Sequence, residues 1–118
     1  MKKKRLPIEE YWLQMINNGR SDVDRFELRA MVWMAQDEEI RNLAAQKLWV
    51  LAKKSDDLGR VKEDIKLIIL WNKKMRENLW EEWKDIFDDE DLLFLWQWCE
   101  PLRKKIEGFR PEIFTEKN

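Results

Sequence analysis

The sequence predicts an all-α protein, a compact bundle of five to six helices. Apolar residues recur at spacings of three and four along most of the chain, as on the buried faces of helices. Apolar residues make up 44% and charged residues 40% of the 118 positions, the balance of a folded, highly charged chain. Three Gly and three Pro leave too little punctuation for a β-sandwich. The length suits one domain over 1–118, with 1–6 and 111–118 as flexible tails.

The first helix runs from Pro7, allowed in a first turn, to Asn17, with Ile8, Tyr11, Trp12, Met15 and Ile16 apolar. Gly19 can take the left-handed conformation that stops it. Ser21 then caps a second helix reaching about Gln36, with Asp24 placed as in a capping box. One apolar face of that helix carries Val23, Phe26, Ala30, Trp33 and Met34, and another carries Leu28, Met31, Val32 and Ala35. Arg25 and Arg29 lie on its single polar stripe. They either face an anion or pair internally, with the acidic 77–91 block as a candidate partner.

Asp37 caps a third helix, with Glu38 and Glu39 at its positive end and Lys53-Lys54 closing it. A loop, Ser55 to Gly59, follows. From Arg60 to Phe87 helical spacing persists, either as one long helix or with a break near Asn78. Asp88 or Asp89 caps the last major helix, Leu92 to Ile106, which Pro101 should kink or divide. Gly108 ends it. The pattern from Asp37 to Leu51 is similar to one helix of a HEAT-type repeat, but no convincing second copy predicts a solenoid.

Catalysis finds no purchase in this composition. Without histidine there is no imidazole base or Ser-His-Asp arrangement, and one cysteine with no histidine excludes Cys/His zinc sites. No glycine-rich phosphate loop is present. Asp88 to Asp91 lacks the alternating ligands of a calcium loop and reads as a helix start. Glu9-Glu10 and Glu81-Glu82 read as exposed helix faces. Cys99 excludes an internal disulfide and suits a buried thiol in a reducing, cytoplasmic compartment. The strongest apolar run, Leu92 to Cys99, is too short for a membrane span.

Charge and aromatics carry what function is legible. Six basic residues face two acidic ones from Arg60 to Arg76, and eight acidic residues face one lysine from Glu77 to Asp91. Lys62, Lys66 and Lys73 form one stripe, a solvated face or a phosphate site beside a helix start. Five or six of the eight tryptophans belong in the core. Trp80 and Trp83, beside the charge boundary, are the candidates for stacking on a base.

Arg20-Ser21-x-x-Asp24-x-x-x-Leu28, an apolar helix and then Asp37-Glu38-Glu39-Ile40 together resemble the helix-bundle domain that follows the catalytic domain in primase-polymerases of archaeal plasmids and phages. The likeness covers residues 19–50. It implies a helical module for DNA replication that binds single-stranded template DNA and a nucleoside triphosphate such as ATP with magnesium. It also implies a covalently linked catalytic primase domain in a parent protein. Arg20, Ser21 and Asp24 match the motif; Arg25 and Arg29 join through their stripe, and Lys62, Lys66, Lys73, Trp80 and Trp83 through charge and stacking. The competing expectation is a small phage- or virus-type interaction protein that meets a basic partner with its acidic block and exposed tryptophans.

Overall fold

Short side chains set the helix starts. Asp24 Oδ1 accepts from Phe26 N at 2.9 Å, Asp37 Oδ1 from Ile40 N at 3.2 Å, and Asp57 Oδ1 from Arg60 N at 3.3 Å. Asn72 Oδ1 accepts from Met75 N at 3.0 Å, and Asp88 and Asp91 form a reciprocal capping box. Each satisfies a backbone donor that a helix start leaves without an internal partner.

The computed structural model describes residues 5–17 and 24–115. Among these are α1 (Pro7–Asn17), α2 (Arg25–Met34), α3 (Glu38–Lys54), α4 (Leu58–Trp71), α5 (Lys73–Trp83), α6 (Asp89–Trp98) and α7 (Arg103–Phe109). Short 3₁₀ turns follow α5, α6 and α7, and no strand occurs among the described residues. The expected all-α bundle is present. No helix among the described residues is long and apolar enough to cross a membrane.

Several boundaries differ from the sequence reading. The cap of α2 is Asp24 itself; Ser21 lies outside the described residues. The long pattern breaks at Asn72, not Asn78, because Asn72 ends α4 and its side chain starts α5. Pro101 sits in the 3₁₀ turn that divides α6 from α7, as its missing N–H requires. Gly108 lies inside α7, which continues to Phe109. Beyond it Ile113 and Phe114 pack on the core, with the Phe114 ring 5.4 Å from Trp96. At the other end, Arg5 pairs with Asp37 and Glu39.

Three consecutive helix pairs make the body: α2 with α3, α4 with α5, and α6 with α7. Helices α2, α4 and α6 lie side by side in one layer, as their ion pairs show. In the other layer, α3 and α5 share a cleft lined by Gln46, Val50, Met75 and Leu79, while Trp80 of α5 meets Phe109 of α7. The molecule is 19 Å across its thinnest axis, two helix layers. Leu28, Ile40, Leu48, Ile65, Leu79, Leu95 and Ile106 fill the space between them.

An internal repeat, unrecognised in the sequence, emerges at each turn into the second layer. Asp37-x-x-Ile40-Arg41, Asn72-x-x-Met75-Arg76 and Cys99-x-x-Leu102-Arg103 occupy the same place in successive pairs. Arg76 donates to the carbonyls of Ile69 and Leu70 at 2.8 and 3.1 Å. Arg103 does the same to Trp96 and Gln97 at 2.7 and 2.9 Å. These arginines satisfy carbonyls left open where the preceding helix ends.

Glu9 corrects another expectation. It is buried rather than exposed, and its carboxylate accepts from Leu6, Gln36 and Asp37 N–H groups. Burial pushes that carboxyl upward, yet the three backbone donors outweigh it and hold the carboxyl below the usual range. One side chain thereby ties α1 to the start of α3.

Candidate functional site

The arginine stripe of α2 faces a carboxylate within the protein. Arg25 Nε donates to Asp64 Oδ2 at 2.8 Å and Arg29 Nη1 to Asp64 Oδ1 at 2.6 Å. Asp64, on α4, is almost fully buried. The partner is therefore this aspartate and not the 77–91 block. Bonding to Asp64 raises the Arg25 pKa against the opposing effect of burial. Both guanidinium groups are committed to holding α2 against α4.

The device recurs one helix further on. Lys62 and Lys66 of α4 sit 2.9 and 2.8 Å from the carboxylate of Asp91 on α6. Lys62 also reaches Asp88 at 3.3 Å. In both clasps two cations four residues apart, hence on one helix face, grip a buried aspartate of the neighbouring helix. The expected phosphate stripe is thus largely internal.

Burial pushes the Asp91 carboxyl upward, but the bonds from Lys66, Lys62 and the Asp88 N–H prevail and lower it to about 2. An unfolded aspartate titrates at about 3.9. Because the folded value is the lower, this stabilisation is complete above about pH 4 and is lost as pH falls toward 2. The difference corresponds to about 2 kcal/mol. Urea unfolding at about pH 5 and pH 2 should show the wild type losing about that much more stability than Asp91→Asn. Equal losses in the two proteins would contradict the clasp.

The remaining expected site residues separate. Trp80 is only 1% exposed, packed edge-on to Phe109, and has no face for a base. Trp83 is half-buried against the core, with an indole N–H that lacks a partner. Asp24 is spent on its cap. Arg20 lies outside the described residues, as Ser21 does. Lys73 is the one expected cation that is exposed and in no ion pair among the described residues. Cys99 is buried, and burial pushes its thiol upward, as an inert core cysteine requires.

Around Lys73 the two layers form a different site. A pocket of about 320 Å³ is lined by Gln36, Glu38, Arg41, Asn42, Trp71, Asn72, Lys73 and Lys74. It lies at the starts of α3 and α5, where helix ends carry partial positive charge. Lys73 and Lys74 are exposed on the first turn of α5. Arg41 comes from α3, and its Nε is buried with no hydrogen-bond partner among the described residues. Trp71, the last residue of α4, is 43% exposed. Asn72 fixes the joint through a 2.9 Å bond from its Nδ2 to Asn42 Oδ1. Three cations thus face one carboxylate, Glu38, beside an accessible indole.

Sequence reasoning named only Lys73 from this group. The signal was present in Trp71-Asn72-Lys73-Lys74, an aromatic and two lysines separated by a capping asparagine. Arg41, 30 residues or more away, joins them only through the packing of α3 on α4 and the Asn42–Asn72 bond. No group of metal-ligating side chains occurs among the described residues. Comparison with protein-family models, curated proteins and solved structures finds no match to this chain.

Proposed function

We propose that this chain is a non-catalytic helical module that binds single-stranded nucleic acid at the joint between α4 and α5. A base stacks on Trp71, and phosphates meet Lys73, Lys74 and Arg41. The observation that carries the reading is the grouping on one pocket of an exposed indole with three cations that have no ion pair among the described residues. Stacking tolerates any base, and cations follow the backbone, so the site favours no particular sequence. A nucleoside triphosphate offers the same base and phosphates in smaller form. Membership of a primase-polymerase as its helix-bundle domain is the finer proposal. It rests on the Arg20 to Leu28 pattern followed by Asp37 to Ile40.

The test is fluorescence anisotropy of a labelled oligothymidylate titrated with the protein at several salt concentrations, with ATP as competitor. Binding should weaken with salt at a log–log slope of about −2, as for three phosphate contacts to a single strand. Trp71→Ala should weaken it by about tenfold or more, the value of one stacked base. No binding at low salt, or unchanged affinity in Trp71→Ala, would overturn the assignment.

A further inference from the structure

The outer face of the α2–α4–α6 layer is apolar where a solvated face would be charged. On α2, Phe26 and Trp33 lie seven residues apart on one side and are 67% and 57% exposed. On α4, Leu67 and Leu70 are half-buried, packed against the core and open to a groove on this face. On α6, Phe94 and Trp98 are four residues apart, and Trp98 is 63% exposed. Helical spacing places the aromatic pairs on the side of their own helix's clasp: Phe26 and Trp33 flank Arg29, and Phe94 and Trp98 follow Asp91 at three and seven residues. Leu67, Leu70 and Phe94 line one groove of about 210 Å³ with Arg29, Glu63 and Lys66. The three pairs therefore form a band across three helices. Lone exposed apolar residues are ordinary, but a contiguous band with four aromatic rings marks an interaction surface.

Charge selects the occupant. The cations bordering this band are already neutralised, Arg25 and Arg29 by Asp64 and Lys62 and Lys66 by Asp91. Arg60, near the start of α4, lies 3.6 Å from Asp57. The exposed carboxylates of Glu63, whose contact with Lys66 is long at 3.9 Å, and of Glu90 stand in the N-terminal halves of α4 and α6, while Asp24 caps α2. The face thus joins an apolar band to an acidic margin.

We infer that this face docks a basic amphipathic helix of a protein partner. The partner's apolar stripe lies along the band and its Lys or Arg residues meet Glu63 and Glu90. This is the helix-in-groove mode, in which residues three and four apart on the guest anchor in the host. The surface is separate from the Trp71 pocket, so neither proposal depends on the other.

A model Leu/Lys amphipathic peptide of roughly 18 residues serves as the probe, and its Leu/Glu counterpart as the control. Calorimetric titration of the full chain should show the Leu/Lys peptide binding at least about tenfold more tightly than the Leu/Glu peptide. Phe94→Ser with Trp98→Ser should weaken binding about tenfold or more, with helical circular dichroism unchanged. Glu63→Lys with Glu90→Lys removes no apolar contact and should shift preference toward the Leu/Glu peptide. It keeps the test decisive if the serine variant fails to fold. Equal binding of the two peptides, or a preference that survives the charge reversal, overturns the inference. So does self-association through the band in sedimentation, or binding of neutral lipid vesicles in place of the peptide.

Discussion

Asp64→Ala should destabilise the protein by about 3 kcal/mol, since removing one partner of a buried ion pair leaves the other charge uncompensated. Here it would strand two guanidinium groups at once, Arg25 and Arg29. Both retain partial access to water, at 20% and 25% side-chain exposure, which places the cost at the lower end for such losses. In urea the midpoint should fall by about 1–2 M at unchanged slope. A control separates charge from packing. Replacing all three residues by apolar ones of similar volume, as Arg25→Met, Arg29→Met and Asp64→Leu, should recover most of the loss, because no buried charge remains. A loss in Asp64→Ala below about 0.5 kcal/mol would mean the clasp behaves as a surface ion pair.

Trp80→Ala should cost about 4 kcal/mol, within the range for deleting a buried aromatic side chain. Trp80 is among the largest fully buried side chains, and its edge-on contact with Phe109 at 5.5 Å helps hold α5 to α7. The cavity would open between the second and third helix pairs, where relaxation requires moving whole helices. Trp71→Ala provides the contrast: an exposed residue at a helix end should change stability by no more than about 0.5 kcal/mol. Thermal melts of the two variants therefore sort the tryptophans into structural and surface classes. Similar melting temperatures for both would contradict the burial of Trp80.

The sequence made the helix starts legible because capping is local. Asp37 and Asp88 act on donors three residues away, and both were recognisable from their neighbours alone. The break at Asn72 was hidden because Ile68, Met75 and Leu79 keep a helical interval across it. The hairpin turns both helices toward the same core, so the periodicity survives the turn. The clasps were hidden for a different reason. Arg25 and Arg29 were visible as a basic stripe, but Asp64 lies 39 residues from Arg25, and a charge pattern does not say which distant carboxylate it meets. The repeat escaped because its first position changes chemically, from Asp37 to Asn72 to Cys99. Connections of unequal length also give it no fixed period. Trp80 and Trp83 were misassigned because spacing cannot separate an inward face from a side-by-side face in a layer. Trp33 and Trp98 follow apolar periodicity yet face solvent, while Trp80, beside charged neighbours, is enclosed.

The division of labour among the cations is the central claim: Arg25, Arg29, Lys62 and Lys66 hold helices together, while Lys73, Lys74 and Arg41 are available to phosphates. Its most direct test is the oligothymidylate titration on two double variants, Lys73→Glu with Lys74→Glu and Arg25→Gln with Arg29→Gln, at a temperature where both remain folded. The first should lose binding by about tenfold or more and flatten the salt dependence, with stability near that of the wild type. The second should lose stability and keep its affinity. The opposite pattern, with affinity lost only when Arg25 and Arg29 are replaced, would contradict the account.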